Sequence, residues 1–209
     1  MASVDLEAWL ASTASPFPIV QAGATVLRRR AVDVAPSLFA TPALARLVDI
    51  MVEAMRAAPG VGLAAPQIGV PLRVFVAEDT QERMAHVSTE GRARRRRTAL
   101  PLMVVVNPKI VATPGPEATF FEGCLSVRGY GALVRRATAV DITGVDANGR
   151  AISRSFDGWP ARIMQHEADH LDGTLFVDRM IARSLANETE LTRLAALPVD
   201  EVLRDLVAR

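Results

Sequence analysis

The sequence predicts an α+β fold in which antiparallel β-sheets pack around one central, metal-binding helix. Six stretches rich in β-branched and apolar residues crowd the middle of the chain, at residues 72–77, 102–106, 109–113, 118–121, 133–145 and 150–156. Helical periodicity is strong in few places. One of them, ahead of Asp172-Gly173, holds His166 and His170, two of the only three histidines in the chain.

Taken in order, the first helix opens at Thr41-Pro42, since proline suits a first helical turn. Its apolar residues Leu44, Leu47, Val48, Met51, Val52 and Met55 recur at spacings of three and one, so one face meets a core, and Pro59-Gly60 ends it. Strands follow, with Asn148-Gly149 suited to a tight hairpin turn between the last two. Residues 79–100 interrupt them with Gln, Ser, Thr and the run Arg94-Arg95-Arg96-Arg97. This reads as a basic loop insertion, solvated and partly disordered, with His86 an exposed bystander. Contact with RNA is the sharper alternative for the arginines.

Asp157, Gly158 and Pro160 start the next helix, and Asp172-Gly173 stops it. After Asp178 the apolar residues Leu191, Leu194, Leu197, Val199, Leu203 and Leu206, interrupted by Pro198, predict one or two short amphipathic helices. They form a C-terminal helical tail over residues 182–209 that could dock on a partner.

At 209 residues and 50% hydrophobic, with a net charge of +1, the chain suits one well-buried domain over residues 1–209. Near-neutral charge gives no general expectation of nucleic-acid binding. The single cysteine excludes an internal disulfide framework. No apolar run reaches the length of a membrane span. The N-terminal stretch carries Asp5 and Glu7 and no arginine before Arg28, unlike secretory or mitochondrial presequences, so a reducing cytoplasm is the expected location. A monomer is the favoured oligomeric state.

The chemistry concentrates in two short segments. Residues four apart share a helix face, so His166 and His170 can close on one ion while Glu167 projects beside it. The inward residues Ile163, His166 and His170 share a face with Trp159, which points the imidazoles toward a core. Buried imidazole needs a partner, and a metal is one. Cys124 is the third ligand if its segment meets the helix. A lone buried cysteine is more often a small hydrophobe, but two helix-borne histidines reverse that preference. Three protein ligands with a fourth position open is the arrangement of a catalytic rather than a structural site.

Three ordered motifs carry a family resemblance: Gly60 through Gln67 (GVGLAAPQ), Glu122 through Ser126 (EGCLS), and Gln165 through Leu171 (QHEADHL) followed by Gly173. Val26-Leu27-Arg28, Val106-Asn107-Pro108 and Leu175 through Asp178 extend it, so that it covers roughly residues 16–180. In these the chain resembles the peptide deformylases, and that resemblance implies removal of the N-formyl group from the initiator methionine of nascent polypeptides, with release of formate. It implies a divalent ion on Cys124, His166 and His170, natively Fe(II) and often Zn(II) or Ni(II) in purified material. Thiolate and imidazole accept all three ions. Glu167 becomes the proton carrier. By the same resemblance the Gln67 side-chain amide and the Leu125 backbone N–H donate to the oxyanion.

Small residues in the first motif let a peptide backbone approach, adding a strand against Val61, Gly62 and Gly123. Phe120, Trp159, Ile163, Val61 and the apolar side of His166 are candidates for a slot that takes the methionine side chain. Glu122 and Asp169 are expected to support the ligating imidazoles, Asp169 alternatively pairing with Arg135 or Arg136. One departure stands out: many bacterial deformylases carry arginine seven residues after the metal cysteine, and this chain has Gly131. An arginine there is expected to steady the peptide backbone. The stretches around Ser126–Tyr130 and Gly158–Arg162 look closer to the branch with mitochondrial enzymes. The rival readings are another metal-dependent amide hydrolase or aminopeptidase, and an idle homologue that binds ribosomes.

Overall fold

The computed structural model describes residues 6–12 and 17–207; the terminal charges Asp5 and Arg209 lie outside the described residues. The chain begins with α1 (Leu6–Ser12) and α2 (Pro42–Ala57), followed by β1 (Gly62–Ala64) and β2 (Val74–Asp79). Next come α3 (Thr89–Arg95), β3 (Leu100–Ala112), β4 (Glu117–Cys124), β5 (Val127–Ala137), β6 (Ala139–Val145) and β7 (Ala151–Asp157). Last are α4 (Gly158–Leu171), α5 (Phe176–Arg179), β8 (Ala186–Asn187), α6 (Glu188–Ala195) and α7 (Val199–Val202). The strands form a five-stranded sheet, β1-β2-β3-β6-β7, and a three-stranded sheet, β4-β5-β8, with antiparallel pairing throughout. Helix α4 contacts strands of both. This is the α+β architecture that the residue pattern predicts.

In two places the division of the chain into strands differs from the pattern. The segments 102–106 and 109–113 are one strand, β3, which passes through a bulge at Asn107-Pro108 where the register with β6 shifts. Proline cannot donate to a ladder, and Asn107 takes a left-handed φ of 51°. The Asn107 side chain makes up the pairing by accepting from Val34 N at 2.8 Å and donating to Val34 O at 3.0 Å. Conversely, the run 133–145 is not one strand. It changes sheets at Thr138, whose backbone N–H and hydroxyl both donate to Pro116 O, at 3.1 and 2.9 Å. No proline or glycine marks that corner, so periodicity alone runs through it.

The basic segment is not the solvated loop that its charge suggests. It contains α3, capped by Ser88 Oγ accepting from Gly91 N at 3.0 Å. Arg97 makes a forked pair with buried Asp79, at 2.7 and 3.1 Å. The guanidinium groups of Arg95 and Arg97 lie 5.6 and 5.4 Å from the ring centre of Trp159. His86 is exposed, as expected.

The core has two main bodies. Leu44, Leu47, Met51 and Met55 of α2 pack with Leu63, Val74 and Val76. Phe75, Val105 and Ile142 pack with Ala161, Ile163 and Met164 of α4. The C-terminal segment lays Leu191, Leu194, Val202 and Leu206 on Phe121 and Leu133, so its apolar face covers this chain's own three-stranded sheet. Pro198 caps α7 at the predicted interruption. Among the described residues, no helix is long and apolar enough to cross a membrane.

Candidate active site

Helix α4 sets His166 and His170 one turn apart, with ring centres 5.1 Å from each other. Cys124 ends β4, where the β4–β5 register shifts and the chain turns back through Leu125-Ser126. That turn brings Cys124 Sγ to 3.3 Å from His170 Nε2, and all three ligand atoms lie within 4.8 Å of one another. A thiolate and two imidazoles so disposed can share one tetrahedral ion. Ser126 N and Gln67 Nε2 point at the same sulfur, at 3.4 and 3.6 Å.

Each imidazole is prepared differently. His166 Nδ1 lies 3.0 Å from Glu122 Oε2, which leaves Nε2 toward the cysteine. Arg136 forks onto Glu122 at 2.6 and 2.9 Å, and Arg162 adds a third contact at 2.6 Å. Burial alone would raise the Glu122 carboxyl, but Arg136 and His166 outweigh it and hold Glu122 ionised, well below the usual carboxylate range. Burial, with His166 and Arg136 nearby, pushes His170 well down and keeps it neutral, the form that ligates. Its Nδ1 is buried without a hydrogen-bond partner.

Asp169 takes the second of its two expected roles, pairing with Arg136 rather than supporting an imidazole, and Arg179 joins it. It accepts from Arg136 at 2.8 Å and from Arg179 at 2.7 Å on both oxygens, while Arg135 is exposed. Arg136 thereby joins β4 to α4 through a buried carboxylate on each.

Glu167 is buried, and burial pushes its carboxyl up to about 7 against the opposing pull of His166 and Arg136. Its Oε2 is buried and has no hydrogen-bond partner. The carboxylate fits against the backbone of Gly62, where a Cβ would stand 2.2 Å from Oε1. Any larger residue at 62 would displace it.

Gln67, in the short helical turn Ala65–Ile68, is oriented at both ends of its amide. Oε1 accepts from Ala64 N at 2.8 Å and Nε2 donates to Ser126 Oγ at 3.2 Å. Gln67 and Leu125 therefore converge on the turn that carries Cys124. Strands β1 and β4 are the end strands of their two sheets, so Gly62 and Gly123 lie on open edges that flank the ligands. Val61 O is already taken by Glu78 N at 2.9 Å.

Phe120 and Trp159 meet edge to face at 6.2 Å, but the surroundings are less apolar than expected. Arg162 lies 5.2 Å from the Phe120 ring centre and 5.8 Å from that of Trp159. Ile163 is buried in the core. Phe176 stacks on His166 at 6.5 Å and escaped sequence reasoning, as did Arg162. A signal for Arg162 exists: it precedes His166 by four residues, on the stripe that carries both histidines.

Known proteins resemble this chain along most of its length. The family model for polypeptide deformylase matches residues 16–185. Peptide deformylase 1 of Streptomyces coelicolor is 48% identical over 193 residues, covering 90% of this chain and 84% of the relative. The chloroplastic peptide deformylase 1A of Solanum lycopersicum is 46% identical over 166 residues, 79% of this chain, and the chain spans 60% of that relative's length. The Met-Ala-Ser-bound crystal structure of a class I type b peptide deformylase from Acinetobacter baumannii superposes with a TM-score of 0.70 at 32% identity, covering 78% of this chain and 98% of that one. With a family model spanning most of its length and the ligands assembled on α4 and β4, the chain belongs to the polypeptide deformylase family.

Proposed function

We propose that this chain hydrolyses the formyl amide of N-formylmethionyl peptides, using one water to release formate and a free amino terminus. The observation that carries the reading is the Cys124, His166 and His170 cluster together with a Glu167 carboxylate buried against Gly62 of the end strand β1. A divalent ion on the three ligands supplies Lewis acidity toward water and toward the formyl oxygen. Fe(II) is the ion we infer, on the family resemblance, since the donor set itself accepts iron, zinc or nickel.

Glu167 accepts a proton as water attacks the formyl carbon and returns one to the leaving nitrogen. Its raised pKa suits both halves of that exchange. Gln67 Nε2 and the Leu125 N–H donate to the oxygen on which charge develops. The peptide runs as an added strand between Gly62 and Gly123, with its first side chain toward Phe120, Ile163 and Trp159. A nascent chain is the source of such a substrate, and a reducing compartment such as the cytoplasm would keep Cys124 available as a ligand.

The test is formate release from formyl-Met-Ala-Ser by protein reconstituted anaerobically with Fe(II), against unformylated Met-Ala-Ser. One formate per free amine, with the peptide bonds intact, is the expected result. Cleavage of Met-Ala-Ser would favour an aminopeptidase, and no reaction with either peptide would leave a binding role.

A further inference from the structure

The two proposed oxyanion donors come from different parts of the chain. Gln67 belongs to the turn after β1, and Leu125 to the turn between β4 and β5. A strap from the N-terminal region ties the two turns together. Val20 N donates to Gln67 O at 2.8 Å, and Ala22 N donates to Ser126 O at 2.7 Å. Between them, the Gln21 side chain reaches the second turn at two points. Its Nε2 donates to Leu125 O at 3.0 Å and to Ile19 O at 3.1 Å, while its Oε1 accepts from Arg128 N at 3.3 Å.

We propose that Gln21 is a positioning residue for the reaction: it fixes the Leu125–Arg128 turn so that the Leu125 N–H and Gln67 Nε2 point at one place. The inference rests on the deformylase reading given above. Gln21 is exposed, so its hydrogen bonds compete with water and add little to stability. Their value lies in direction. A donor aimed at developing charge acts mainly in the transition state, so a misdirected one lowers kcat and leaves ground-state binding nearly intact. Sequence reading offers no hint of this role, because Gln21 lies outside all three motifs.

The experiment compares Gln21→Leu and Gln21→Glu with the unaltered holoenzyme. In Gln21→Leu, kcat for formyl-Met-Ala-Ser should fall about tenfold, with KM within about twofold and metal content unchanged, as expected for a displaced donor. Amide hydrogen exchange should quicken at residues 124–128 and nowhere else. Gln21→Glu keeps an acceptor for Arg128 N but sets an oxygen against Leu125 O, so it should lose as much. Full kcat in either variant would overturn the proposal. So would loss of metal in step with kcat, which would make the strap a device for retaining the ion. Should the unaltered enzyme release no formate, the deformylase reading fails on its own. The exchange at 124–128 still decides whether Gln21 holds the turn.

Discussion

Glu167 must be basic enough to take a proton from water and acidic enough to give it up again. Burial against Gly62 sets that balance. Replacing it with Gln keeps the shape against Gly62 and removes the proton carrier. Glu167→Gln should therefore bind one ion per chain by metal analysis while formate release drops by about 10²- to 10⁴-fold. A metal-loaded variant with near-normal turnover would sink the assigned role. Gly131 shows the opposite lesson. Its departure from the bacterial arginine is legible, but its consequence is not, because the neighbour that decides it lies sixty residues away. A Cβ at 131 would stand 2.6 Å from Leu191 Cδ2 and 2.8 Å from Glu122 O. Gly131→Arg, which residue comparison predicts to tighten peptide binding, should instead cost about 1–3 kcal/mol of stability by urea denaturation, as overpacking does. A lowered KM for longer formyl-Met peptides with unchanged stability would restore the original expectation.

At the scale of elements, what the sequence reveals depends on how local the cause is. Helix α4 is legible because its periodicity, its histidine spacing and its boundary residues are all short-range. Even so, the start works differently from the usual cap. Asp157 makes no side-chain bond to the helix and pairs with Arg96 instead. The sheet switch at Thr138 and the burial of Arg97 on Asp79 are illegible, since each depends on a partner distant in sequence. Gly158 is where these two kinds of cause meet. It takes a φ of +59°, and a Cβ there would stand 2.4 Å from Arg96 O. Gly158→Ala should cost about 1–3 kcal/mol from backbone strain, with added cost from the clash. Thermal unfolding would read the loss. A fall confined to the packing of α3, seen as faster exchange at residues 89–97 with global stability intact, would mean that the basic segment yields before α4 does.

Across the whole molecule, the metal ligands and the ion-pair network join the same two parts. Cys124 belongs to the three-stranded sheet, and His166 and His170 to the helix packed on the five-stranded one. Arg136 of β5 spans that junction too, its buried guanidinium holding buried Glu122 on β4 and largely buried Asp169 on α4. Removing one member of such a network is strongly destabilising, whereas the intact network needs no ion to satisfy it. The apo chain should therefore stay folded and lose only the stabilisation that binding adds. An ion present at about a hundred times its dissociation constant contributes about 2.7 kcal/mol, or roughly 5–10 °C in Tm for a chain of this size. Chelation should lower Tm by about that much while the cooperative transition and far-UV circular dichroism persist, and re-adding Fe(II), Zn(II) or Ni(II) should restore it. In Cys124→Ser the chelator-induced shift should shrink, because an alcohol does not ionise on the metal as a thiol does. In Glu167→Gln it should be unchanged. Unfolding of the apo chain at 25 °C would show that the arginine network cannot hold the junction alone, and a Tm indifferent to chelation would remove the metal from the site.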